Sequence, residues 1–292
     1  MYASDHALQG GTAWMPLVLH SALANTVEDI DRNIESALKR DYIPFNTLIG
    51  TKSGAVAVVG SGPSLKRNWS ELRSFNGDIL ACNAAFQFLL ERGITPNYMM
   101  CFDADPLALE FITPHPGVTY LIGSRCPPKV FDLLAGHRIV CWHAGGDEHV
   151  SELLEKSGRM EPMVVGGSAA VTRAMVLVAP IGYREIHLYG ADSSHEAGDT
   201  HIRKSTTEER RMPLKCGGRV FDTSPWMAVQ VNDFKILLPM LKDRLKLDVI
   251  VHGDGLLPHV AMWLGCKTDL ETPSKKFRRE WRFKLRNVWN SL

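Results

Sequence analysis

A mostly parallel, doubly wound α/β sheet is predicted by three observations. Short apolar runs recur along the chain, most of them separated by helical or irregular segments. The runs are apolar at nearly every position instead of alternating, as strands covered on both faces are. Most of them stop at glycine or a small polar residue, which places those residues along one sheet edge. The chain has 292 residues, room for one large domain with appendages.

Residues 21–40 carry Leu23, Val27, Ile30, Ile34, Ala37 and Leu38 at helical spacing. This predicts a surface amphipathic helix inside an N-terminal helical extension, residues 1–50. The strand-like runs come next: 55–59 (AVAVV), 78–82 (DILAC), 98–102 (YMMCF), 119–123 (TYLIG), 138–142 (RIVCW), 163–165 (MVV), 185–189 (EIHLY) and 248–252 (DVIVH). They define a Rossmann-like domain expected over residues 51–270. The segment 192–211, rich in charge and histidine, has no strong period and reads as a lid over the site or as a solvated loop. Residues 271–292 form the last part, where Phe277, Trp281, Leu285 and Val288 or Trp289 make an apolar stripe among cations. That is the pattern of a basic amphipathic helix, able to lie on an anionic membrane, to touch nucleic acid, or to pack on its own domain or a partner subunit.

Composition narrows the function classes. Hydrophobic residues make up 45% and charged residues 22%, ordinary for a globular protein. The formal net charge of +1 provides no global attraction to nucleic acid, and no nucleic-acid partner is expected. The positive charge is concentrated at residues 275–292, with seven Lys/Arg against one Glu, a local +6 that leaves about −5 elsewhere. The six cysteines show no C-x-x-C pair and read as reduced core thiols. With no apolar leader or span, the expected location is cytoplasmic, with peripheral contact to the inner membrane face through the last segment.

The candidate site is the row of strand ends. Gly60-Ser61-Gly62-Pro63-Ser64 closes the first apolar run in a tight loop. Two glycines there would let backbone amides approach a phosphate, and Ser64 can cap the next helix. No Gly-Lys-Ser/Thr comes after it, so this is not a Walker A loop, and the third glycine of a dinucleotide fingerprint is absent. An ordinary tight strand–helix turn would read the same way. A valine at position 62 is expected to block the loop while leaving the fold largely intact. Asn83, Asp103, Gly166-Gly167-Ser168 and Asp192 come after later strands on the same edge, where open α/β sheets bind ligands. Asp103 and Asp105, at i and i+2, could hold one hard cation; alternatively Asp105 caps the helix begun by Pro106. His143, His187 and His252 lie in or at the ends of strands and read as structural.

Three segments together resemble a known group: Gly60–Leu65; Cys82-Asn83 with the run 96–103; and Gly166-Gly167-Ser168 with the run 182–192 ending in Gly190-Ala191-Asp192. The pattern is similar to the MptE-like family, which includes archaeal 6-hydroxymethylpterin diphosphokinases and the motility accessory factor (Maf) glycosyltransferases. It is also similar to bacterial sialyltransferases that use CMP-sugars. The similarity covers roughly residues 52–262. It implies that Gly60–Ser64 and Asn83 contact donor phosphates and ribose, that Gly167 and Ser168 bind a phosphate or sugar carboxylate at a helix start, and that Asp192 borders the site. It leaves the general base open among His195, His201 and Asp222, because the sialyltransferase tyrosines and histidine are not matched. The implied function is a transferase with a nucleotide-sugar donor, such as a CMP-nonulosonic acid, and a sugar or protein acceptor. The alternatives are a Mg²⁺- and ATP-dependent diphosphokinase, with Asp103 and Asp105 as metal ligands, and a non-catalytic nucleotide- or sugar-binding module.

Overall fold

The computed structural model describes residues 25–145, 148–196, 202 and 210–270. The expected C-terminal basic helix and most of the expected lid, His201 included, lie outside the described residues.

Helix α1 (Val27–Leu38) begins at Thr26, whose hydroxyl accepts the Asp29 N–H while the Asp29 carboxylate reaches back to Thr26. It buries Ile34 and Leu38 against Val150, Leu153 and Leu154. Strand β1 (Ile43–Pro44) comes next and joins the main sheet. Residues 27–44 therefore pack directly onto the sheet region.

The next elements alternate: β2 (Ala55–Val59), α2 (Leu65–Asn68), β3 (Asp78–Cys82), α3 (Ala84–Leu90), β4 (Tyr98–Cys101), β5 (Thr119–Gly123), α4 (Pro128–Leu133), β6 (Arg138–Ala144), α5 (Glu148–Lys156), β7 (Met163–Val164), α6 (Ala170–Ile181) and β8 (Glu185–Tyr189). A hairpin of β9 (Met212–Cys216) and β10 (Arg219–Thr223) leads into α7 (Pro225–Pro239), β11 (Asp248–Val251), α8 (Leu256–Trp263) and β12 (Lys267–Thr268). Every strand-like run of the sequence is a strand. β1, β12 and the hairpin are additions: two are only two residues long, and β9 and β10 are half-exposed, so neither pair makes an apolar run.

The sheet runs β1-β6-β5-β4-β3-β2-β8-β11-β12, with β7 paired to β6, and all its pairs are parallel. Alternation along each central strand feeds two cores. Val56 and Val58 pack on the face covered by α6, α7 and α8, while Ala57 and Val59 pack on the face covered by α2, α3 and α4. Because β2 steps to β3 on one side and pairs with β8 on the other, the strand order reverses beside β2. The C-terminal ends at that reversal are where the fold leaves a crevice. No helix among the described residues is long and apolar enough to cross a membrane.

Candidate functional site

The glycine loop after β2 lies against the end of β8. The Gly60 N–H donates to the Tyr189 carbonyl and the Gly62 N–H to the Gly190 carbonyl, both at 2.8 Å. A Cβ at Gly60 would stand 2.6 Å from the Gly190 oxygen, and one at Gly62 would stand 2.7 Å from it and nearer still to the Asp192 carboxylate. The glycines thus permit two backbones to cross, and their amides are not available to a phosphate. The expectation that a valine at position 62 would leave the fold largely intact is corrected on the same ground. The Ser61 carbonyl accepts the Ile202 N–H at 2.9 Å.

Ser64 does not cap α2. Its N–H and hydroxyl both donate to Asp192 Oδ2 at 2.9 Å. Asp192 is 4% exposed. Burial pushes its pKa up to about 6, against the opposing pull of the two Ser64 hydrogen bonds; Asp254 adds to the rise and Arg67 counters it. Its carbonyl accepts the Leu257 N–H at 3.0 Å. Asp192 therefore ties together the β2 loop, the end of β8 and α8.

Beside this knot opens a small cleft of about 100 Å³, lined by Pro63, Asp192, His195, Arg219, Asp222 and Asp254 among others. Hairpin β9–β10 brings Asp222 there: its carbonyl accepts the His195 N–H at 2.7 Å, and its carboxylate pairs with Arg211 at 2.9 Å. Thr223 donates to the Ser193 carbonyl at 2.8 Å, holding Ser193 at φ 51°. The rim is acidic, with Arg67 bridging Glu196 at 2.5 Å and Asp254 at 2.6 Å. Of the expected catalytic residues, His195 and Asp222 share this cleft with Asp192.

The remaining candidates line the edge on the far side of β2. Asn83 starts α3 at φ 48°, ψ −128°, a conformation outside the ordinary regions for a side-chain-bearing residue. Its Oδ1 is buried with no hydrogen-bond partner among the described residues. Asp103 is exposed, and its Oδ1 accepts the Asp105 N–H at 3.1 Å. Asp105 caps the turn that begins with Pro106, accepting the Leu107 N–H at 2.8 Å. Each of the two carboxylates thus has one oxygen on a backbone amide. Among the described residues no third His, Cys, Asp or Glu joins them in a metal-binding group.

Gly166 and Gly167 carry the chain at φ 106° and 78° to the start of α6. Ser168 does not present its amide to the solvent: its N–H donates to Asp233 Oδ2 at 2.6 Å, and its hydroxyl bonds the same oxygen. The helix itself starts two residues later, with Thr172 Oγ1 accepting the Ala169 N–H at 3.2 Å.

Two arginines at this edge are not marked by any motif. Arg125 lies just past the β5 end, and Arg173 sits in the first turn of α6, its Nη1 donating to the Val164 carbonyl at 2.7 Å. The one signal in the sequence is Arg173 as the single charge in the apolar run 169–181. The strand histidines are structural. His143 is fully buried, bonds Glu161 through Nε2 at 3.2 Å, and has its pKa lowered by burial against the pull of Glu161. His187 and His252 stack and share a 2.9 Å N–N contact.

A family model described as 6-hydroxymethylpterin diphosphokinase MptE-like matches residues 28–198. Among solved structures, a Maf glycosyltransferase from Magnetospirillum magneticum AMB-1 superposes with a TM-score of 0.62 at 18% identity, covering 92% of this chain. The chain spans only 43% of that protein's length. The sialyltransferase CstII from Campylobacter jejuni, in complex with cytidine-5'-monophosphate, gives a TM-score of 0.37 at 14% identity, covering 76% of this chain and 87% of its own. A mammalian sialyltransferase gives 0.38 at 13%, covering 78% of this chain and 80% of its own. No curated protein matches the chain.

Proposed function

The chain belongs to the MptE-like family, and from that premise we propose that it is a transferase of the glycosyltransferase kind, acting on a nucleotide-sugar donor. The observation that carries the reading is Asn83: a buried amide oxygen with no partner, held on a strained backbone at the sheet edge. Strain of this kind costs about 1–3 kcal/mol and persists where the surroundings enforce it, often at ligand sites. The Asn83 side chain would contact the donor's ribose or phosphate. His195, in the cleft with Asp222 at the same sheet edge, is the base we assign. In this reaction the acceptor hydroxyl attacks the anomeric carbon, the bond from that carbon to the phosphate oxygen breaks, the nucleotide leaves with the electron pair, and the acceptor proton passes to the base. The motif order, resembling that of CMP-sugar enzymes, favours a CMP-activated sugar acid as donor.

The rival, suggested by the diphosphokinase in the family's description, is diphosphoryl transfer from Mg²⁺–ATP to a pterin alcohol, with Asp103 and Asp105 on the metal. A thermal-shift series with CMP, CDP, UDP, GDP and ATP, each with Mg²⁺ or with chelator, tests both. The expected result is stabilisation by a cytidine nucleotide that survives chelation and is lost in Asn83→Ala. Stabilisation by ATP alone, and only with Mg²⁺, would establish the rival. No stabilisation by any nucleotide would remove both.

A further inference from the structure

Two cations without a carboxylate partner stand together at the sheet edge. Arg173 is 9% exposed and its Nε has no hydrogen-bond partner among the described residues. The Nε of Arg125 is likewise buried without a partner. The two guanidinium carbons lie 5.7 Å and 6.0 Å from the centre of the Phe102 ring. Among the described residues, no carboxylate oxygen comes within 4.0 Å of either group.

The surroundings hold this arrangement. Asn33 on α1 donates to the Arg125 carbonyl at 3.0 Å, fixing the residue from the far side. Gly123 leaves room for Phe102: a Cβ there would stand 2.8 Å from the Phe102 Cβ. Gly167 lets the loop pass against the first turn of α6, since a Cβ there would stand 2.6 Å from the Arg173 backbone nitrogen. Burial, reinforced by Arg125, lowers the Arg173 pKa to about 10, so the group stays charged at neutral pH; Asp233 pulls the other way. Asp233 is the nearby acid, and one of its oxygens is already held by Ser168. A buried cation beside a second, half-buried one is unfavourable unless an anion completes them. Guanidinium groups match the planar, two-oxygen edge of a phosphate or carboxylate.

We propose that Arg125 and Arg173, over the face of Phe102, form an oxyanion site that takes a phosphate or carboxylate group of the substrate. The site deepens the glycosyltransferase reading and rests on it only for the identity of the molecule that carries the anion.

The test uses inorganic phosphate, pyrophosphate and glucuronate at matched ionic strength, with binding followed by thermal shift and calorimetry on the full chain. The wild type should bind at least one of them saturably. Arg125→Gln and Arg173→Gln should each weaken that binding at least tenfold. Arg138→Gln, at the opposite sheet edge, should bind as the wild type does. Ligand-free Arg125→Gln should melt no lower than the wild type, because it removes a repulsion; a purely structural arginine would lower it. If Arg173→Gln does not fold, Arg173→Lys, which keeps charge without the fork, takes its place and should bind more weakly. Preference for the phosphates assigns the site to the donor's nucleotide, and preference for glucuronate assigns it to a sugar carboxylate. No response of the wild type to any of the three, or equal binding by the variants, overturns the site. Oxyanion binding through the arginines without turnover of any nucleotide sugar would leave the site standing and remove the glycosyltransferase reading. Nucleotide-sugar turnover unchanged in both variants would remove the site and leave the reading.

Discussion

Where β2 meets β8, the amides of Gly60, Gly62 and Ser64 are all bonded to the end of β8 or to Asp192. On the far side of β2, Asn83 Oδ1 and the Nε atoms of Arg125 and Arg173 are buried without partners among the described residues. The two stretches belong to one sheet edge and differ in what they are built for. The first satisfies itself and locks two crossing backbones together. The second keeps polar groups desolvated and unmatched, which is unfavourable in the free protein and becomes favourable once a ligand supplies the missing partners. A glycine-rich loop is thus not by itself a ligand cradle. Its amides have to be followed to their acceptors before a phosphate is assigned to them.

Substitutions sharpen this contrast. The largest effect is expected at Gly62. A valine there overlaps both the Gly190 carbonyl and the Asp192 carboxylate, neither of which is a flexible side-chain end free to withdraw. Gly62→Val should lose at least about 3 kcal/mol of stability, or fail to fold. Arg125→Gln should stay within about 1 kcal/mol of the wild type in the same urea titration. A wild-type denaturation midpoint for Gly62→Val would show that the loop is open.

The next effect is the pH dependence contributed by Asp192. Folding raises its pKa from the ordinary 3.8 to about 6, mainly by burial. The folded protein therefore holds this proton more tightly than the unfolded chain. The resulting stabilisation is full below about pH 4 and is lost as the pH rises through about 6. The interval corresponds to about 3 kcal/mol. Asp192→Asn cannot ionise, so its stability relative to the wild type should improve by about that amount between pH 4 and pH 7. Parallel pH profiles for the two proteins would mean that Asp192 is not desolvated in the folded state.

The strand-end positions of both stretches were legible in the sequence, and the arginine pair of the second was not. The parallel sheet was legible because strands buried on both faces must be apolar at every position, as 55–59 and 119–123 are. The strand ends came with it, and so did Gly60–Ser64, Asn83, Asp103, Gly166–Ser168 and Asp192. What the residues do there was not legible, because it depends on partners distant in sequence. Ser64 turns to Asp192, 128 residues away, instead of capping its own helix, and Ser168 turns to Asp233, 65 residues away. The arginine pair was hidden for a related reason. Arg125 and Arg173 become neighbours only when α6 is laid over β2, β3 and β4, and neither stands in a motif. The half-exposed hairpin that delivers Asp222 to His195 has no apolar period to announce it.

The smallest effect is expected at Asn83, and it separates the two stretches most directly. At φ 48°, ψ −128°, Asn83 occupies a backbone region that glycine enters without steric penalty. If the asparagine were there for stability, its side chain would need a partner to offset the strain, and its Oδ1 has none. Asn83→Gly removes the strain and the buried, unmatched oxygen. It also makes the unfolded chain more flexible, which opposes the gain. The balance should be a stabilisation of about 1 kcal/mol in the ligand-free protein. The same variant should lose the thermal response to nucleotide, since the group meant for the ligand is gone. Asn83→Ala keeps the strained backbone without the amide, so it should lose the nucleotide response without the gain in stability. A ligand-free Asn83→Gly protein less stable than the wild type, or one that still responds to nucleotide, would show that the asparagine holds the fold and not a substrate.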